Sequence, residues 1–252
     1  MRNLIIILRN AFLVWLVYSA QFVTVISAKE QKPARDFLEG LTIAPTGTLQ
    51  LQTGKSLTLK IGRFSDTTLV GGFEEVKLPV VWSIEPSEDV SLDRDSGILM
   101  ATDTIAGIKA FDVKASIANG QKTISKKLYV YNPLSAPLVG AWHEKSRIPC
   151  TEGASMDSFK PINELVSHAN GTFSVTWIPF ELYMDYWGDY SVDYKNNKLA
   201  LNVTGGNNIP KDISASGSFN FSEEGGFTLK DIYLGTGQND SAGDKSCGYV
   251  FR

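Results

Sequence analysis

The chain is poor in the residues that most often carry out chemistry. Its 252 residues include two cysteines, Cys150 and Cys247, and two histidines, His143 and His168. So few Cys and His leave no spacing for a four-ligand zinc site. Neither Gly-x-Ser-x-Gly nor His-Glu-x-x-His occurs, which removes the signatures of an elbow-type serine nucleophile and of a zinc protease. A basic excess is missing too, with 24 Lys and Arg against 27 Asp and Glu. Nucleic acid and anionic membranes call for clustered Lys and Arg. The nearest cluster, Lys126-Lys127 beside Lys122, reads as the solvated side of a strand.

What is present begins with a leader. Arg2 and Arg9 stand in front of AFLVWLVYSAQFVTVISA, and the chain turns polar at KEQKPARD. A positive start, a long apolar run and small Ala28 predict a secretory signal over 1–28. The competing reading is a single membrane anchor, which Tyr18, Ser19, Gln21 and Thr24 weaken. No cysteine follows the run, so lipid attachment at a mature N-terminal cysteine is excluded. Cleavage would remove two arginines and no acid, taking the formal charge from −3 to −5. The expectation is an exported protein (periplasmic, secreted or at the cell surface) with no membrane span after cleavage. In an oxidising compartment Cys150 and Cys247 are expected to form a disulfide.

Beyond the leader, no segment sustains a helical period. Apolar and polar residues alternate instead, punctuated by Gly, Asn, Asp and Pro, which predicts an all-β protein. After a tail at 29–40, about seven short strands fill 41–132, and Asn119-Gly120 marks a tight hairpin. The runs LTIAPTGTLQLQTGKSLTLKI and VVWSIEPSEDVSLDRDSGILMAT, with Gly54, Trp82-Ser83, Gly97, Gly107 and Ala115, resemble a bacterial Ig-like domain of group 2. That resemblance implies a β-sandwich serving as a spacer in surface adhesins or as an appendage of secreted enzymes. Trp82 is expected in its core.

A Pro-punctuated linker at 133–138 leads to a second β-region over 139–252. Its successive hairpins predict a small antiparallel meander, closed or nearly closed, with one helix at 155–167 lying across an end. Gly140-Ala-Trp142 on the first strand and Arg252 on the last resemble the Gly-x-Trp…Arg pairing of lipocalin-like barrels. The resemblance implies that Arg252 packs over Trp142 and closes the barrel. A Cys150–Cys247 bridge would bring the same two strands together. Such a barrel is either filled by side chains or holds one small ligand.

The densest feature is FSVTWIPFELYMDYWGDYSVD, residues 173–193. From Ile178 the even positions (Phe180, Leu182, Met184, Tyr186, Gly188, Tyr190, Val192, Tyr194) form one strand face, expected inside, with a bulge or close approach at Gly188. The odd positions place Tyr183 and Trp187 among Glu181, Asp185, Asp189 and Asp193. Aromatic rings beside carboxylates suit sugar faces and hydroxyls, so Tyr183, Asp185, Trp187 and Asp189 are the candidate ligand-binding residues. Alternatively, the two rings simply cover a neighbouring strand pair or pack under the first domain. His143 and His168 are expected on the surface.

Three functions remain. The first is a non-enzymatic binding or surface-interaction protein, taking a carbohydrate or small apolar ligand, or a surface protein. The second is a purely structural or adhesive module acting through protein partners. The third is a small glycoside hydrolase using the strand carboxylates, which requires two acids across a cleft. No catalytic residue, metal or cofactor is implied.

Overall fold

The computed structural model describes residues 37–64, 72–153, 160–178, 183–237 and 246–252. The leader at 1–28, with Phe180, Glu181 and Leu182, lies outside the described residues.

The first unit is a two-layer β-sandwich. Its strands are β1 (Thr42–Ala44), β2 (Leu49–Gln52), β3 (Ser56–Thr58), β4 (Lys60–Phe64), β5 (Phe73–Glu75), β6 (Val80–Ile84), β7 (Val90–Leu92), β8 (Ile98–Ala101), β9 (Ile108–Ile117) and β10 (Lys122–Tyr131). One layer runs β2-β10-β9-β6. The other combines β1-β4-β5 with β3-β8-β7, joined because only Leu59 separates β3 from β4. Alternation sends Val113, Ala115 and Ile117 of β9, and Leu128 and Val130 of β10, into the core at 0% exposure. The β9–β10 hairpin closes at Ile117↔Lys122, so its loop is four residues long rather than the two expected of Asn119-Gly120. Ala118 belongs to the loop, with a positive φ of 50° and its amide donating a hydrogen bond to the Pro79 carbonyl.

Trp82 is 3% exposed, in the core as expected. Its indole lies on Gly97, which turns at φ +70°; a Cβ there would sit 2.7 Å from Nε1. Gly97→Ala therefore combines a left-handed backbone with an indole clash, and should cost about 1–3 kcal/mol. Urea unfolding followed by Trp fluorescence measures it; a change within about 0.5 kcal/mol would show that the indole yields freely.

The second unit contains β11 (Gly140–Trp142), β12 (Glu144–Pro149), β13 (Glu164–Ser167), β14 (Thr172–Thr176), β15 (Tyr186–Asp193), β16 (Lys198–Gly206), β17 (Ser216–Phe221), β18 (Phe227–Lys230) and β19 (Ser246–Phe251). They form one antiparallel sheet in the order β11-β13-β14-β15-β16-β17-β18-β19-β12. Its two end strands, β11 and β12, are consecutive, with only His143 between them, so the meander curls back on its first strand as a nearly closed barrel. His143 and Arg252 exchange backbone hydrogen bonds at 2.9 Å in both directions across the seam.

Two expectations for this unit are corrected. Residues 164–167 of the expected helix are strand β13, paired with β11 on one side and β14 on the other. Those ladders satisfy its backbone better than a short isolated helix could. Arg252 joins the seam through its backbone while its side chain is exposed. Trp142, beside Gly140, instead meets the Phe227 ring edge-on at 4.9 Å and donates from Nε1 to the Leu138 carbonyl. Among the described residues of this unit, a guanidinium lies over a ring at Arg147, 5.6 Å from the Tyr249 centroid. The Cys150–Cys247 disulfide is formed and spans the β12–β19 seam.

The barrel interior is packed with side chains. Phe173, Tyr186, Phe219, Phe227, Tyr249 and Phe251 are each at most 2% exposed. Each contributes about 1.5–3 kcal/mol by leaving water. Two tyrosine hydroxyls serve one residue: Tyr186 donates to the Leu234 carbonyl at 2.9 Å, and Tyr249 accepts from the Leu234 amide at 3.0 Å. Burial pushes the Tyr249 phenol up to about 12 and raises that of Tyr186 well above its ordinary value, so both stay neutral.

Candidate functional site

The candidate residues sit around β15, and the strand's start decides their roles. Inside, Tyr186, Gly188, Tyr190 and Val192 follow the expected alternation. Gly188 marks the bulge: Trp187 pairs with Gly205 but Gly188 pairs with Val203. A Cβ on Gly188 would stand 2.0 Å from the Asn202 carbonyl oxygen. The alternation does not extend back to Ile178 and Met184, which are 42% and 38% exposed rather than inside. Regular pairing begins only at Tyr186, so parity has no meaning before it.

Asp185 was expected on the outer face and is instead 2% exposed. Its Oδ2 accepts from the Trp177 amide at 2.8 Å and its Oδ1 from the Tyr183 hydroxyl at 3.1 Å. The carboxylate thus pins the β14 exit to the β15 entry. Tyr183 is held as its donor, its phenol pKa raised by burial and then by the Asp185 charge. The pair holds a loop together, and its polar groups are already spent.

Trp187 faces outward and is half-buried. Its cross-strand neighbours are Ser174 on β14 and Gly205 on β16, so small residues flank the large ring. The indole lies over Gly205, where a Cβ would be 2.8 Å from Nε1. Asp189 follows on the same face, exposed, between Thr172 and Asn202. Farther along, Ser191, Asp193, Lys198, Ala200, Ser216 and Asp231 line an open groove of about 600 Å³. The Asp193 carboxylate accepts from Asn196 Nδ2 at 2.7 Å and from the Lys195 and Asn196 amides. The Asn196 side chain and amide keep its pKa low. Trp187, Asp189, Ser191 and Asp193 thus share one outer face, about 20 Å long at a strand's rise per residue. Sequence parity located Trp187 and Asp189; the groove needed β17 to be folded alongside.

Asp185 and Asp189 are not placed to act as a pair in acid–base hydrolysis. Asp185 is committed inside while Asp189 is open to water, so they do not oppose each other across a cleft. Among the described residues, no three His, Cys, Asp or Glu side chains gather where they could hold a metal ion. His143 is exposed as expected, with Nδ1 in contact with the Asn163 carbonyl. His168 is half-buried, a correction: the turn that carries it packs against the first unit.

No family model matches the sequence, and no curated protein matches it. Among solved structures, the chain is similar to protocadherin gamma B7 extracellular cadherin domains 1–4, at 11% identity and a TM-score of 0.27. That match covers 83% of this chain and 48% of the protocadherin. A chimeric titin Z1Z2 functionalised with a KLER peptide from decorin matches at 14% identity and a TM-score of 0.22, covering 79% and 90%. The chain spans about half the length of the protocadherin chains it matches. Scores this low carry no functional inference.

Proposed function

We propose that this is an exported, non-enzymatic surface-interaction protein that engages a carbohydrate through the outer wall of its barrel. The observation that carries this reading is Trp187, outward and flanked by small residues, on the same face of β15 as a groove that begins about 13 Å farther along the strand and is lined by hydroxyls, carboxylates and Lys198. An indole offers a flat apolar face to a sugar ring, while Asp189, Ser191 and Ser216 offer hydrogen bonds to its hydroxyls. The packed interior favours the wall over a small apolar ligand held inside. The sandwich, resembling a bacterial Ig-like domain of group 2, then acts as spacer, and the lipocalin-like barrel as display surface. The disulfide agrees with export, and among the described residues no helix is long and apolar enough to cross a membrane.

A glycan screen on the wild type, Trp187→Ala and Ser216→Trp tests the reading. Stacking on one aromatic is worth about 0.5–1.5 kcal/mol, so Trp187→Ala should weaken a bound glycan roughly threefold to tenfold. Ser216→Trp fills the groove and should weaken it too. Equal binding by all three proteins, or no glycan bound by the wild type, would end the carbohydrate reading. The competing adhesive reading rests on Ile178, Met184 and Ile209, exposed on loops at one barrel end. Capture of a protein partner that is lost in Ile209→Ser, with Trp187→Ala unaffected, would favour it.

A further inference from the structure

The two units meet at a turn that contains a titratable ring. Between β13 and β14, His168 donates from its amide to Thr172 and accepts at its carbonyl from Gly171 and, at 2.9 Å, from the Tyr190 hydroxyl. The next two residues carry the contact with the first unit. Ala169 donates its amide to Gln50 Oε1 at 3.0 Å, and Asn170 Nδ2 reaches Thr48 Oγ1 at 3.4 Å. Ala169 also packs in an apolar cluster with Ala136 and Val139, against Tyr129 and Tyr131. The linker side is tied as well: Asn132 and Ser135 bond the loop at Ile105 and Gly107. The joint is therefore a docked surface with few direct hydrogen bonds between the units, and the turn carries them.

On this turn, His168 Nδ1 is buried without a hydrogen-bond partner among the described residues. In the neutral ring, Nδ1 can be the bare nitrogen, which tolerates a dry site. Protonation makes it a charged donor with nothing to receive its hydrogen, and a buried unsatisfied donor costs far more than a bare acceptor. The surrounding groups do not offset that charge. Glu164, on the same face of β13, acts on the ring favourably but is outweighed by burial. The side chains that hold the turn are Tyr190 on the His168 carbonyl, Gln50 on the Ala169 amide, Thr48 on Asn170, and Tyr129 and Tyr131 packed against Ala169, none of them Asp, Glu, Lys or Arg.

We propose that the joint between the two units is pH-responsive, loosening when His168 takes up a proton. Burial lowers the ring's pKa from its ordinary 6.5 in the turn that holds the units together. The turn as folded for docking thus binds the proton more weakly than a turn opened to water. Docking is complete above about 6.5, is progressively lost as the pH falls below it, and carries the full penalty below the docked pKa. The outer face of β15 would then be held rigidly on its spacer at neutral pH and swing more freely in acid.

Amide hydrogen exchange on the whole chain, corrected for intrinsic rates, tests this at neutral pH and near pH 5, beside small-angle scattering. In the wild type, exchange at the Ala169 amide should rise several-fold in acid, with the amides of Val113 and Tyr249 unchanged, and the particle should lengthen. His168→Gln, which cannot take the charge, should show neither response. An identical acid response in His168→Gln, or no response in the wild type, overturns the proposal. Should His168→Gln fail to fold, NMR titration of the wild-type ring decides: a pKa at or above 6.5 overturns it, and a lower one supports it.

Discussion

Glu144→Ala should cost the barrel about 3–5 kcal/mol, the range for breaking a buried ion pair by removing one partner. Glu144 and Arg147 lie on β12, opposite Phe251 and Tyr249 of β19, and so point into the barrel. Their side chains are 3% and 2% exposed. Arg147 Nε donates to Glu144 Oε1 at 2.8 Å and Nη2 donates to the Lys160 carbonyl at 2.6 Å. Glu144 Oε2 also accepts from the Ile162 amide at 2.6 Å, tying β12 to the chain entering β13. Alanine leaves a guanidinium in the interior without its carboxylate and removes the acceptor of a buried amide. The double replacement Glu144→Leu with Arg147→Met takes away both charges and should recover most of the loss, because a buried pair and an apolar pair of similar volume are nearly equivalent. Lys145→Ala, on the outside of the same strand, should fall within about 0.5 kcal/mol. Chemical denaturation of the four proteins measures the set. A loss below about 1 kcal/mol in Glu144→Ala would mean that water reaches the pair.

Replacing both cysteines by alanine should be comparably large. The bridge joins residues 97 apart in sequence, closing a loop that includes almost the whole barrel. In the chain-entropy account such a loop is worth about 4.7 kcal/mol. The effect should be confined to the second unit, because no part of the sandwich lies between Cys150 and Cys247. Two-probe unfolding separates the units: Trp82 reports the sandwich, while Trp142, Trp177 and Trp187 report the barrel. The double variant should shift only the barrel transition. An equal shift of both would show that the units unfold together, which would also mean that the joint at His168 is stronger than its few direct hydrogen bonds suggest.

Much of this was legible where local pattern and tertiary packing agree. The inward run Tyr186, Gly188, Tyr190, Val192 follows from strand parity, because a strand buried on one face must segregate its apolar residues. Trp82 as core and the Cys150–Cys247 bridge were legible for similar reasons. Strand β12 was not. Its sequence EKSRIP carries charges that belong on a surface, and only the pairing of Arg147 with Glu144 allows them inside. Strand β13 was hidden in a short stretch whose helical reading had no competitor until its two ladders were in place. Asp185 was misplaced because parity was carried back across a loop to a residue that precedes the strand.

Sequence alone determined that the chain is all β, which cysteines pair, and which face of β15 is the core. Period, punctuation and composition are local properties, and each reports on a few neighbouring residues. Tertiary structure alone decided which polar groups are spent and which are free. Asp185 and Tyr183 satisfy a loop, Glu144 and Arg147 satisfy each other, and His168 is set against the first unit. Trp187 and Asp189 remain on the open wall. That partition depends on partners far away in the chain, and a carboxylate's availability is settled by what comes to donate to it.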